Sequence, residues 1–445
     1  MKRISRILVA TFAVLCVAIL ILGCAPRASR PVSSATASPP KPKRMIGNNW
    51  FDVNFTGNWA MDIEILRFLA ATWHGMGDVG EILDAASRIR GTSELSWYRE
   101  WYATAERVAG MAEASLAGGH GVSAGEAYLR ASNYYRASEF YLHADLTDPR
   151  AREASRKGVE CYAKAVKLLQ LPVTRVAIPY EGTTLPGWYY KSPTAPAKAP
   201  LLIVIQGYDG TAEETQYEGI EAIKRGIDCL IFEGPGQGQA LREGNLKFRP
   251  DWENVFKPVV DWAVSRPDVD PARIAVLGIS FGGSYVIRAA AFEHRPKIYI
   301  ANPGYLSIAD VFFERADPKI INLYREDPKA FNDKMEDAMK YEVAWRWFFN
   351  DGIWKFGVDT PSDLVKALLA YDNTPYIRQI TSTVLVMDGE DEIAGKGQAK
   401  ALFDALQCPK DYMLFTTESA ASLHCQNATL SVGTARMFDW LEEHL

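Results

Sequence analysis

The sequence predicts an α/β protein: a mostly parallel sheet of about eight strands with crossover helices, preceded by a separate all-helical segment. Three observations carry this. Apolar residues recur at three- and four-residue spacing across residues 49–170, short β-branched runs alternate with helical stretches across 171–445, and a Gly-x-Ser-x-Gly turn stands where one run gives way to a helix. A chain of 445 residues, 48% of them hydrophobic, exceeds one typical domain, so two folded units, 49–170 and 171–445, are expected. Acids and bases are interspersed and the formal net charge is -5, which excludes the basic footprint of a nucleic-acid-binding protein.

At the N-terminus, Lys2, Arg3 and Arg6 precede an uncharged apolar run, residues 7–22, in the order of an export signal. The run ends in Ile21-Leu22-Gly23-Cys24, which resembles the bacterial lipoprotein box, although Leu22 is larger than the residue usual there. Residues 1–24 are expected to be a lipoprotein signal with Cys24 lipidated, or else an uncleaved signal anchor. Either way the body is expected to be exported and membrane-anchored through its N-terminus, on the periplasmic or cell-surface side. Residues 25–48, rich in Pro, Ser, Ala and basic residues, read as a flexible tether.

Helical spacing predicts helices at 63–76, 94–116 and 124–141, with Gly118-Gly119-His120-Gly121 breaking the last two apart and Ser123 capping the restart. From residue 173 the runs 173–179 and 185–190 read as an opening hairpin, and 201–205, 229–232, 274–277, 298–301, 384–387 and 412–415 as the strands that follow. A helical interval of about 304–380 interrupts the last part of this series. Its Trp345, Trp347, Phe348, Phe349, Trp354 and Phe356 suit either a cap over a site or an apolar helical flank. Cys161, Cys229, Cys408 and Cys425 lack metal-ligand spacing, so no metal site is expected, and Cys408 with Cys425 is the one pair to test for a disulfide.

Gly278-Ile279-Ser280-Phe281-Gly282 lies between the run 274–277 and a helix-like stretch, the context of a nucleophile elbow. A strained strand-to-helix turn demands glycine where a side chain would strike its neighbours. A serine hydroxyl needs a base to take its proton, and beyond the last predicted strand only His424 and His444 remain. His444 is penultimate and reads as a helix end, so His424, in Ser422-Leu423-His424-Cys425, is the expected base. The acid is sought in Asp388-Gly389-Glu390-Asp391-Glu392 after the run 384–387. Counting three residues on from Gly389 selects Glu392, whereas aspartate chemistry selects Asp391, which is preferred with Glu392 as its competitor; Asp388 and Glu390 read as turn and solvent residues. The tetrahedral intermediate needs an oxyanion hole, and the backbone N–H groups of Tyr208 and Phe281 are the candidates. Gly234-Pro235-Gly236-Gln237-Gly238 lacks the lysine of a phosphate loop and reads as a turn at the rim of the site.

Together these residues resemble the α/β-hydrolases that carry an all-helical N-terminal domain, the 2,6-dihydroxypseudooxynicotine hydrolase-like and esterase-like serine hydrolases. The resemblance rests on Gly119-His120, Ala131-Ser132-Asn133-Tyr134-Tyr135, Gly207-Tyr208-Asp209-Gly210, the stretch from Phe232 to Gly238, the elbow at Ser280, Gly397-Gln398-Ala399 and Leu423-His424-Cys425. It implies a helical domain across the catalytic edge of the sheet, frequent homodimers, and hydrolysis of esters, lactones or ketone C–C bonds. Aligned without gaps on Gly397-Gln398-Ala399, Glu392 stands where that family has an aspartate.

The expected activity is hydrolysis of a small-molecule carbonyl compound, an ester first, through an acyl-enzyme on Ser280 with no cofactor. A C–C bond hydrolase of a ketone or diketone would need a further acid, for which Glu233 and Asp310 are candidates. A peptidase is the third reading, and a catalytically silent surface-binding lipoprotein the reading from another class.

Overall fold

The computed structural model describes residues 49–445; the apolar run, Cys24 and the tether lie outside the described residues. Among the described residues no helix is long and apolar enough to cross a membrane. Five helices come first: α1 (Trp59–Ala70), α2 (Val79–Arg88), α3 (Glu94–Ala117), α4 (Gly121–Glu139) and α5 (Pro149–Leu168). Local chemistry sets their starts, because Asn58, Asp78, Ser93 and Asp148 each accept a hydrogen bond from backbone N–H groups of the first turn. Ser123 does not cap α4. That helix begins at Gly121 behind His120, whose side chain caps nothing, so Ser123 falls inside the first turn. Trp97, Trp101, Tyr134 and Phe68 fill the interior of this bundle, with Trp97 Nε1 donating to Ala137 O at 2.7 Å.

Then follow β1 (Val173–Tyr180), β2 (Thr183–Tyr190), β3 (Ala199–Ile205), α6 (Gln216–Lys224), β4 (Asp228–Phe232), α7 (Gly238–Arg242), α8 (Glu253–Ser265), β5 (Val269–Ile279), α9 (Gly282–Phe292) and β6 (Ile298–Asn302). Five helices intervene before the next strand: α10 (Ile308–Arg315), α11 (Pro318–Glu326), α12 (Pro328–Met339), α13 (Val343–Phe356) and α14 (Pro361–Leu368). The chain closes with β7 (Thr383–Gly389), α15 (Gln398–Ala405), β8 (Lys410–Phe415) and α16 (Leu430–His444).

The eight strands form one sheet in the order β1-β2-β4-β3-β5-β6-β7-β8. β1 and β2 are antiparallel, β2 meets β4 antiparallel, and all later pairs are parallel. Every residue of β3, β4 and β6 is buried, as expected of central strands covered by helices on both faces. The chain order reverses around β3, which pairs with β4 on one side and β5 on the other. The carboxyl ends of β3 and β5 therefore open on the crevice where α/β sheets place their ligands. This is the α/β-hydrolase architecture with an N-terminal helical region.

Candidate active site

Ser280 sits between β5 and α9 with φ +57°, a left-handed conformation that costs a non-glycine residue energy and persists only where its surroundings enforce it. The enforcement is visible in its flanking glycines. A Cβ on Gly278 would stand 2.1 Å from the carbonyl oxygen of Gly282, and one on Gly282 2.7 Å from that of Ile205. Ser280 N donates to Asn302 O at 2.6 Å, tying the turn to the end of β6.

His424 reaches this serine from the loop between β8 and α16, with Nε2 2.8 Å from Ser280 Oγ. Its Nδ1 lies 2.9 Å from both Oε1 and Oε2 of Glu392. Asn302 braces the same loop, accepting from Cys425 Sγ at 3.3 Å and exchanging side-chain hydrogen bonds with Gln426. His444 lies apart from this loop, its ring bonded to Trp440 O.

Of the two candidate acids it is Glu392, the competitor, and not the preferred Asp391 that the structure brings to His424. Asp391 N donates to Ser422 O, and its carboxylate turns outward to accept from the exposed Thr417 hydroxyl at 3.3 Å. Glu392 turns inward, is only 2% exposed, and accepts from the N–H groups of Ala394 at 2.6 Å and Gly395 at 3.2 Å. Burial would raise its pKa, but the His424 ring and these backbone donors outweigh it and hold the carboxyl below its usual range. Burial likewise disfavours protonated His424, yet Cys425 and Glu392 beside it raise the imidazole well above its ordinary value. Of the other two carboxylates, Glu390 is exposed as expected, whereas Asp388 is buried and accepts from Tyr412 Oη at 2.6 Å. Burial pushes Asp388 up to about 6.

The two oxyanion candidates flank the serine. Phe281 opens α9, and the loop after β3 passes so close that a Cβ on Gly207 would lie 3.2 Å from Ser280 Oγ. Three groups hold that loop. Gln237, from the glycine-rich turn after β4, donates to the carbonyls of Gln206 at 2.5 Å and Gly207 at 3.2 Å. Lys355 of α13 donates to Tyr208 O at 2.6 Å. Arg67 of α1 grips Asp209 with Nη1 at 3.2 Å and Nη2 at 3.3 Å. Sequence reasoning placed Gln237 in a turn at the rim of the site but missed Arg67 and Lys355, since Arg67 and Asp209 are 142 residues apart and no local pattern announces their meeting.

A cavity of about 140 Å³ opens over Ser280 and His424. Its apolar wall includes Ile63 of α1, Phe140, Ile279, Leu423 and, from α13, Ala344 and Trp347. Trp347 stacks on Phe140 at 5.2 Å between ring centres, so the helices between β6 and β7 meet the N-terminal helices above the site. The two acids considered for C–C chemistry are not in this wall. Glu233 is buried and occupied by the N–H groups of Ala212 and Gln239, and Asp310 is exposed on α10. Cys408 and Cys425 are free thiols, not a disulfide.

The profile of the esterase FrsA-like family matches residues 59–302. The hydrolase acrC of Aspergillus aculeatus is 33% identical over 408 residues, covering 85% of this chain and 95% of its own. The 20-hydroxy-prefusarin hydrolase of Gibberella moniliformis is 33% identical over 402 residues, covering 86% of this chain and 95% of its own. Among solved structures, 2,6-dihydroxy-pseudo-oxynicotine hydrolase superposes with a TM-score of 0.65 at 22% identity, over 84% of this chain and 95% of that one, which supports the fold. With the elbow, the sheet order and these matches in agreement, the chain is a hydrolase of the α/β-hydrolase superfamily and belongs to the FrsA-like esterase family.

Proposed function

We propose that this hydrolase cleaves an ester or similar carbonyl compound through an acyl-enzyme on Ser280. The observation that carries the reading is the continuous relay from Ser280 Oγ through His424 to Glu392, with contacts of 2.8 and 2.9 Å. In this scheme His424 Nε2 takes the hydroxyl proton as Oγ attacks the carbonyl carbon, and the backbone N–H groups of Tyr208 and Phe281 receive the oxyanion. His424 then returns the proton to the departing alcohol. A water molecule, deprotonated by the same nitrogen, releases the acid and regenerates the serine. Glu392 stays ionised throughout, fixing the imidazole and stabilising its protonated form. An ester is the first reading and a ketone C–C bond the second; Glu233 and Asp310, the acids considered for a carbanion leaving group, are not in the cavity wall, although Glu64, Asp209 and Glu214 are.

The test is labelling of the purified protein with a fluorophosphonate probe, followed by peptide mapping and a panel of aryl and alkyl esters. An adduct on Ser280 that disappears in Ser280→Ala, together with ester turnover, is the expected result. A folded protein that takes no label would instead favour a surface-binding role. We also propose export with lipidation at Cys24, on the strength of Lys2, Arg3, Arg6 and the apolar run 7–22. Incorporation of labelled palmitate that is lost in Cys24→Ser is expected in a bacterial host. Unchanged incorporation would rule the site out.

A further inference from the structure

Four charged residues share the cavity with Ser280 and His424 yet play no part in the relay: Glu64, Arg67, Asp209 and Glu214. Arg67 is fully occupied. Its Nε and Nη2 bind Glu214, Nη1 and Nη2 bind Asp209, and Nη1 also reaches Glu64 Oε2 at 3.4 Å, the longest contact of the set. Arg136 of α4 supplies a second cation, its Nη2 2.9 Å from Glu214 Oε2. Lys355, the remaining cation near this group, is spent on Asp351 at 2.5 Å and on Tyr208 O.

Three carboxylates thus face two guanidinium groups, and the loosely held one is Glu64. Its side chain is 13% exposed, and among the described residues its Oε1 has no hydrogen-bond partner. The surplus charge and the open acceptor therefore point into a cavity whose remaining wall is mostly apolar. An acceptor that opens on the cavity is available to a donor on a ligand, and a hydrogen bond to an ionised carboxylate is among the stronger ones.

We propose that Glu64 is the specificity-determining residue of a subsite, contributed by the N-terminal helices, for a substrate whose far end carries a hydroxyl or protonated amine, and that it rejects a free carboxylate there. The inference rests on the acyl-enzyme reading, since it assigns the far end of the substrate that Ser280 attacks. Burial, opposed by Arg67, raises the Glu64 carboxyl to about 7. The subsite therefore accepts from a hydroxyl at any pH near neutrality and favours a cation more as the pH rises. A site built only of apolar groups separates a methyl from a hydroxyl poorly, whereas a polar partner in the pocket separates them strongly.

The test uses a matched series of aryl esters whose acyl chains end in methyl, hydroxyl, ammonium or carboxylate. The readout is the ratio of kcat/KM values within each protein, which cancels general losses of activity. In the wild type at pH 8 the ammonium and hydroxyl esters should exceed the methyl ester, and the carboxylate ester should fall about tenfold or more below it. Glu64→Gln should shrink the ammonium-to-carboxylate ratio by about tenfold. The wild type needs no variant for a second readout: the same ratio should rise between pH 6 and pH 8. Ratios identical in wild type and Glu64→Gln, or independent of pH in the wild type, overturn the subsite while leaving the acyl-enzyme intact. Absence of both Ser280 labelling and methyl-ester turnover in the wild type would remove the acyl-enzyme reading, and the subsite with it.

Discussion

Glu392 reaches His424 because its side chain turns inward from the turn after β7, with both carboxylate oxygens 2.9 Å from Nδ1, whereas Asp391 turns outward to Thr417. Two predictions belong to this scale. Glu392→Gln keeps the shape but loses the charge that supports the protonated imidazole, so kcat should drop on the order of 10³–10⁴-fold, while Asp391→Asn should stay within about threefold of wild type. Steady-state kinetics on one ester decides it, and a larger loss in Asp391→Asn would reverse the assignment. The second concerns pH. The base works only when neutral, and its folded pKa lies above 6.5, so kcat/KM should climb with pH along a limb centred above that value. Removing the Glu392 charge takes away one of the influences that raise it, and the limb should move to lower pH in Glu392→Gln. An unmoved limb would mean that another group titrates.

The loop after β3 is the element on which the site depends most. Gln237 holds it from the sheet side, Arg67 from α1 and Lys355 from α13, with Tyr208 stacked on Phe348 at 6.1 Å. Lys355→Met would strip a buried Asp351 of one of its two cationic neighbours, and we expect a loss of about 3 kcal/mol in urea denaturation. Adding Asp351→Leu should recover part of that loss; a double variant weaker than the single one would refute the account. This element also shows what the sequence could reveal. Ser280 was legible because a strained turn leaves glycines around it, and His424 because chain order restricts the base to the segment after the last strand. The strands read correctly in number and order along the chain, since buried β-branched runs are local signals. The acid was legible only to a pair: the count from Gly389 selects Glu392 and aspartate chemistry selects Asp391, and which of them turns inward involves a distant loop, where Asp391 N bonds to Ser422 O. Ser123 misled for the opposite reason: a good capping residue goes unused where His120 ends the preceding turn.

For the molecule as a whole, the seam between the N-terminal helices and the helices before β7 is ionic as well as aromatic. Glu139 binds Arg242 and lies 2.8 Å from His143 Nε2, and His143 Nδ1 lies 2.6 Å from Asp351. Burial would raise Glu139, but Arg242 and His143 outweigh it and hold it at about 2 against an ordinary 4.5. Its stabilisation is present above pH 4.5 and is lost as pH falls through 4.5 toward 2. For His143, burial is outweighed by Asp351 and Glu139, which raise it above 6.5; its contribution is full below that pH and fades as pH rises through the folded value. The melting temperature should therefore fall on acidification below pH 4.5, and Glu139→Gln should melt lower at neutrality but show a shallower acid decline. A decline of unchanged slope would place the acid sensitivity elsewhere.

Through the grip of Arg67 on Asp209 the N-terminal helices share the upkeep of the loop beside Ser280 with Gln237 and Lys355. Serine, histidine and glutamate all come from the sheet half, whereas the loop beside the serine is steadied by a residue that enters the chain more than two hundred positions before the nucleophile. A catalytic half severed from its helices could keep a nucleophile that reacts with an aggressive electrophile and still process ordinary esters slowly. Substrate range could accordingly drift through changes in the helices alone, leaving the chemical engine untouched.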